Sequence, residues 1–150
     1  MTKIFVDADG CPVKDEIYRV AQRHQFKVFV VANRSMKTPL DPRIEMVVVS
    51  GDPDAADNWI ADAIQEHDLC ITADIPLADR CLKKQASAMD PRGNQWTEDN
   101  IGDALATREI MKTLREMGEA RGGPAPMSLR DRSNFLSELE NLIQIIKRKK

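Results

Sequence analysis

Five aspartates carry the chemistry that this chain could do. Asp7 closes the apolar run Lys3-Ile-Phe-Val6, and Asp74 follows the apolar run Leu69-Cys-Ile-Thr72. If both runs are strands of a parallel sheet, both carboxylates reach its carboxyl edge, where open α/β folds place their sites. Two acids drawn to one edge from distant parts of a chain repel each other unless a cation lies between them. Asp9 stands two residues beyond Asp7 in a loop with Gly10, and Asp79 five residues beyond Asp74. Asp57 belongs to Gly51-Asp-Pro-Asp-Ala-Ala-Asp57. Helical spacing sets it roughly 80° from the centre of that segment's apolar face, so it can lean over a sheet edge, whereas Asp54 faces solvent. Asp52 reads as a helix cap followed by Pro53 at the first helical position. Capping or solvation explains any one of these acids alone. Asp7, Asp57 and Asp74 together point to a cation site, and all-oxygen ligation selects Mg²⁺ or Mn²⁺ over zinc.

The elements that must position these groups follow from the hydrophobic pattern. Strands are expected at 3–6, 28–31, 46–49 and 69–72, with a weak fifth at 86–89. Helices are expected from Pro12 to about Gln25, from Asp52-Pro53 through Ile64, and from Pro76 to Gln85. Alternation of strand and helix predicts an α/β fold with a mostly parallel sheet of four to five strands over residues 1–93. Residues 97–150 read as a C-terminal helical extension of the same domain. Thr97 caps a helix carrying Ile101, Leu105, Met111 and Leu114. A connection spans Gly118 to Ser128. Ser128 and Asp131 have capping-box spacing before a last helix with Phe135, Leu136, Leu139, Leu142, Ile143 and Ile146 on one stripe. That stripe either covers the sheet or joins a second copy of the chain; covering the sheet is the stronger expectation.

Composition narrows the function classes. The chain has 150 residues, 42% of them apolar and 31% charged, and a net charge of −2. This is ordinary globular usage, with no apolar run of membrane-spanning length. Charge is unevenly spread: residues 1–79 hold 8 Lys/Arg against 14 Asp/Glu, and residues 80–150 hold 14 against 10. An acidic first half beside a basic second half suits a cation site next to an anion-attracting surface. Three cysteines without metal-ligand spacing and no leader-like segment point to a reducing, cytoplasmic setting. Two histidines make a His-rich zinc site improbable. Cys70 reads as a buried small hydrophobe, and Cys11, at a helix start, is a weak candidate nucleophile.

The segments Phe5-Val-Asp-Ala-Asp-Gly-Cys-Pro12, Gly51-Asp-Pro-Asp-Ala-Ala-Asp-Asn-Trp-Ile60 and Ile71-Thr-Ala-Asp-Ile-Pro-Leu-Ala-Asp79 strongly resemble the YaiI/YqxD family of uncharacterised bacterial proteins. So do Pro91-Arg-Gly93, Gly122-Gly-Pro124 and Arg130-Asp-Arg132. The family looks like a branch of the PIN-like superfamily of metal-dependent nucleases. The resemblance implies a PIN-like three-layer α/β/α fold, and acid roles that match Asp7, Asp57, Asp74 and Asp79. It implies metal-assisted phosphodiester hydrolysis, with Mg²⁺ or Mn²⁺ held by these acids and Asp9, on a substrate such as single-stranded RNA. Arg80, Lys83, Lys84, Arg92 and Arg108 are the candidate phosphate contacts; Arg115, Arg130 and Arg132 are more distant ones.

Two other classes compete. Asp7-Ala-Asp9-Gly10 after a strand also resembles the first motif of haloacid-dehalogenase-like phosphatases, with Asp7 as nucleophile and Asp9 as acid/base. Ser50 directly abuts Gly51, however, leaving no room for that class's lysine-bearing segment, and the Asp74/Asp79 pair would have no task. The other class is a non-catalytic PIN-like module that binds RNA or a protein partner.

Overall fold

The structure is a computed structural model that describes residues 2–118 and 126–149. Six strands form one sheet in the order β3-β2-β1-β4-β5-β6. They are β1 (Lys3–Asp7), β2 (Lys27–Ala32), β3 (Ile44–Val48), β4 (Leu69–Ile71), β5 (Ser87–Met89) and β6 (Gln95–Trp96). The first five run parallel, and β6 returns antiparallel to β5. The sheet therefore has one strand more than the four to five expected. A two-residue strand carries no periodicity to read. β6 is set instead by the 90–94 turn, in which the Asp90 carboxylate accepts from the backbone N–H of Arg92 and of Asn94, each at 2.9 Å.

Helices α1 (Lys14–His24), α2 (Ala55–Ala63), α3 (Ile75–Lys83), α4 (Glu98–Glu116) and α5 (Leu129–Lys149) complete the fold. β1 lies near the middle of the sheet with Ile4, Phe5 and Val6 buried, as a strand covered on both faces must be. Ile4 and Val6 point into one core with Ile17 and Val20 of α1 and with Phe135, Leu139 and Ile143 of α5. Phe5 points the opposite way, into a second core with Ile60 of α2 and Leu77 and Cys81 of α3. The result is three layers: α1 with α5, the sheet, and α2 with α3.

The α5 stripe is thus spent on the chain's own sheet. The Ser128/Asp131 capping box forms as expected, with reciprocal bonds of 3.0 and 3.1 Å. Two further contacts fasten α5. Arg92 meets Asp131 at 2.9 Å, and Arg132 donates to the Pro12 carbonyl at 2.6 Å and to Glu16 at 3.0 Å. Gly93, at φ +93°, lies under α5, where a Cβ would meet the Phe135 Cα at 3.2 Å. The Pro91-Arg-Gly and Arg-Asp-Arg132 segments therefore join the 90–94 turn to α5. At the other end His24 hydrogen-bonds Glu140 at 2.9 Å.

Two boundaries differ from expectation. α2 opens at Ala55 with Asp54 before it, not at Asp52-Pro53. Asp52 instead accepts from the Ser50 hydroxyl at 3.2 Å and leaves the helix N-terminus uncapped by its side chain. On α4 the expected stripe is buried only at Ile101, with Leu105 packed beside it. Met111 is 39% exposed, and the neighbouring Ile110 and Met117 are 60% and 63% exposed. Only the first part of α4 reaches the body, where it packs on α3, so the periodicity outruns the surface available to cover it. The Gly122-Gly-Pro124 motif and most of the 118–128 connection lie outside the described residues. Among the described residues no helix is long and apolar enough to cross a membrane.

Candidate functional site

The chain builds β1, β2 and β3 toward one side, then returns across β1 to build β4, β5 and β6 on the other. The order reverses between β1 and β4, and a crevice opens beyond their carboxyl ends at such a switch point. Asp7 ends β1, and Asp74 follows β4. They line a cavity of about 260 Å³ together with Asp9, Asp52 and Asp57. Asn33, Ser50 and Gly51 contribute to its wall, and no lysine, arginine or histidine of the described residues does.

Thr72 holds two of these acids in place. Its hydroxyl, 2% exposed, donates to Asp7 Oδ2 at 2.8 Å and accepts from the Asp74 N–H at 2.9 Å. Asp74 Oδ1 in turn accepts from the Leu77 N–H at 2.9 Å, capping α3. One oxygen of each carboxylate is thus fixed, and the other takes no hydrogen bond from the described residues. Asp9 accepts from the Asn33 N–H at 3.1 Å. Asp57, in the first turn of α2 as its spacing suggested, makes no hydrogen bond or ion pair with the described residues and is the most movable of the set.

The electrostatics follow from this gathering. Burial pushes the Asp7 carboxyl above its ordinary value and the Asp74 and Asp9 charges add to the rise, while the Thr72 hydrogen bond opposes it. Burial, with the charges of Asp74, Asp7 and Asp54, raises Asp57 to about 6; Arg80 pulls it back. A carboxyl raised in the folded state stays protonated longer than in the unfolded chain. The metal-free protein therefore loses stability through this group as pH climbs from about 4 to about 6. Asp57→Asn is expected to remove that loss. It should gain on the order of 1 kcal/mol above pH 6 after solvent screening, roughly 2–4 °C in thermal midpoint, and nothing at pH 4. Midpoints of both proteins measured across pH 4–8 check this; parallel curves would contradict it.

The donor set suits a hard divalent cation in kind: all oxygen, all carboxylate, with Asp7 and Asp57 raised in pKa first by burial and then by neighbouring acids. Among the described residues no three carboxylate, imidazole or thiol groups converge closely enough to enclose an ion. The acids line the cavity without closing on its centre. The uncommitted oxygens of Asp7 and Asp74 and the unbonded Asp57 are the groups free to turn inward.

The remaining candidates stand elsewhere. Asp79 pairs with Lys83 at 2.9 Å along α3 and is absent from the cavity wall. Lys84 donates to the Ala61 carbonyl at 2.8 Å, closing the α2 C-terminus. Arg92 meets Asp131, and Arg108 meets Glu109 at 3.2 Å on α4. Arg80 is the cation of this group whose charge acts on Asp57; its guanidinium donates to Asn58 at 2.9 Å. Cys11 is buried and its thiol is pushed up by that burial, the opposite of what a nucleophile needs. Cys70 and Cys81 are buried as well. Two wall residues escaped the sequence reading: Ser50, and Asp52, which its place before Pro53 disguised as a cap. The Thr-x-Asp spacing of Thr72 and Asp74 was the available signal for the hydroxyl that links Asp7 to Asp74.

Residues 5–145 match the model of a family described as "Uncharacterized BCR, YaiI/YqxD family". A UPF0178 protein of Paramagnetospirillum magneticum is 53% identical, covering 99% of this chain and 98% of its own. One from Rhodospirillum rubrum is 53% identical over 97% and 98%, and one from Rhodospirillum centenum 51% identical over 99% of each. No solved structure matches the chain.

Proposed function

The chain belongs to the YaiI/YqxD family, and we propose that this member is a PIN-like, divalent-metal-dependent nuclease that hydrolyses phosphodiester bonds in single-stranded RNA. The observation that carries this reading is the cavity at the β1/β4 switch point, walled by five aspartates and by no basic side chain of the described residues. Asp7, Asp57 and Asp74 would hold Mg²⁺ or Mn²⁺, with Asp9 at the rim. Asp79 would have to leave Lys83 to join them. The bound cation supplies two things: a lowered pKa for an attacking water and neutralisation of charge on the scissile phosphate.

The chain's own groups do the rest. Thr72 donates to one oxygen of Asp7 and accepts from the Asp74 N–H, and the Leu77 N–H holds one oxygen of Asp74, so both carboxylates lose part of their rotational freedom before a cation binds. Asp57 keeps its proton to about pH 6 and must release it to act as a ligand, so cation binding should strengthen as pH rises through that value. Arg80, exposed beside Asp57, can take a flanking phosphate, which positions the strand without reading its sequence.

The test is cleavage of a single-stranded RNA oligonucleotide by the purified full chain. Hydrolysis is expected with Mg²⁺ or Mn²⁺ and is expected to stop with EDTA. An RNA left intact under both metals, or cut equally in EDTA, would overturn the reading.

A further inference from the structure

A second cavity, of about 470 Å³, lies on the other side of the same two turns. Gly10 and Ala73 line it, and the residues adjoining them, Asp9 and Asp74, line the acidic cavity. Its remaining wall is mostly flat and apolar, with Trp96, Pro91 and Met127 prominent. That size and lining are those of a small-molecule pocket. Trp96 is held rather than free. Its indole N–H donates to the Thr72 carbonyl at 3.2 Å, and the ring also packs on the Ala78, Ala88 and Ile101 cluster. Thr72 therefore joins the two cavities, with its carbonyl tied to Trp96 and its hydroxyl to Asp7.

The charged groups in this wall are committed elsewhere. The Asp90 carboxylate closes its own turn on Arg92, Asn94 and the Asn94 amide, and Arg92 meets Asp131. The pocket thus suits a neutral, flat group, while the adjoining cavity suits a cation that draws an anion. A molecule that carries both, a planar ring one short linkage from a phosphate, is a nucleotide.

We propose that this pocket is a nucleobase subsite, in which the base next to the phosphate held at the aspartates stacks on Trp96. The proposal rests on the nuclease reading for the phosphate's position. It adds how the strand is gripped: by stacking, which tolerates any base, and not by reading base edges. With the pocket's carboxylate occupied by backbone amides, discrimination among bases should be weak.

The chain has two tryptophans. Trp59 stands in the other core beside Phe5 and Phe29, so Trp59→Phe leaves Trp96 as the only indole reporter. An eight-nucleotide oligoadenylate with Mg²⁺ is expected to quench its emission, and an abasic strand of the same length is not. Trp96→Ala should weaken oligoadenylate binding about 5- to 150-fold, with most of the affinity kept in Trp96→Phe. The abasic strand should bind Trp96→Ala and the wild type alike. Equal quenching by both strands, or unchanged oligoadenylate binding in Trp96→Ala, overturns the subsite. The Trp59→Phe arm stands even if Trp96→Ala fails to fold. Base-dependent quenching without cleavage would keep the subsite and sink the nuclease. Cleavage indifferent to Trp96 and to the bases would do the reverse.

Discussion

Asp7→Asn is expected to lower metal-dependent RNA cleavage at least about 100-fold while leaving the protein folded. Partners of metal ligands typically cost 10- to 100-fold when removed, and Asp7 is placed as a ligand itself, so the upper end is the floor. The substitution keeps the shape of the side chain, and the amide oxygen can still accept from Thr72 Oγ1. It removes one thing, a charge that burial and two neighbouring acids disfavour. Folding stability should accordingly hold or rise as activity falls, because the folded state no longer bears an ion it holds at a raised pKa. Steady-state cleavage and a thermal melt on the same preparation separate the cases. Activity lost together with stability would mean that Asp7 serves the fold; activity kept would remove it from the site.

Phe135→Ala is the larger change in stability. Phe135 is fully buried between α5 and the sheet, in one core with Ile4 and Val6. Truncating such a ring is expected to cost about 3–5 kcal/mol. Because α5 covers the chain's own sheet, the loss should be independent of protein concentration. Denaturant titrations at two concentrations, well apart, check both points. A midpoint that climbs with concentration would instead place this face between two copies.

Most of the fold was legible because its signals are strong. The run Ile-Phe-Val6 has no polar break, so a doubly covered strand was the natural reading, and β1 is that strand. The Ser128/Asp131 spacing specifies a cap from two residues alone, and the cap forms. Features settled by tertiary context were not legible. β6 is too short for any period, and α4 carries an apolar pattern that the body covers only over its first turns.

At the site the difficulty was different. Asp74 could be read as a helix cap or as a cavity acid, and sequence treats these as rivals. A carboxylate has two oxygens, and here Oδ1 caps α3 while the group also lines the cavity. Asp52 and Asp79 show the opposite limit. Spacing cannot tell which acid will find a nearer partner: Lys83 takes Asp79, and the late start of α2 turns Asp52 toward Ser50.

Hydrolysis at this site requires a cation to meet these carboxylates, and anomalous diffraction from a Mn²⁺-soaked crystal tests that most directly. The expected result is a peak between Asp7, Asp57 and Asp74, with the Asp57 side chain turned toward it. A crystal soaked to saturation that shows no manganese in this cavity, or shows it only at carboxylates outside it, would contradict the account.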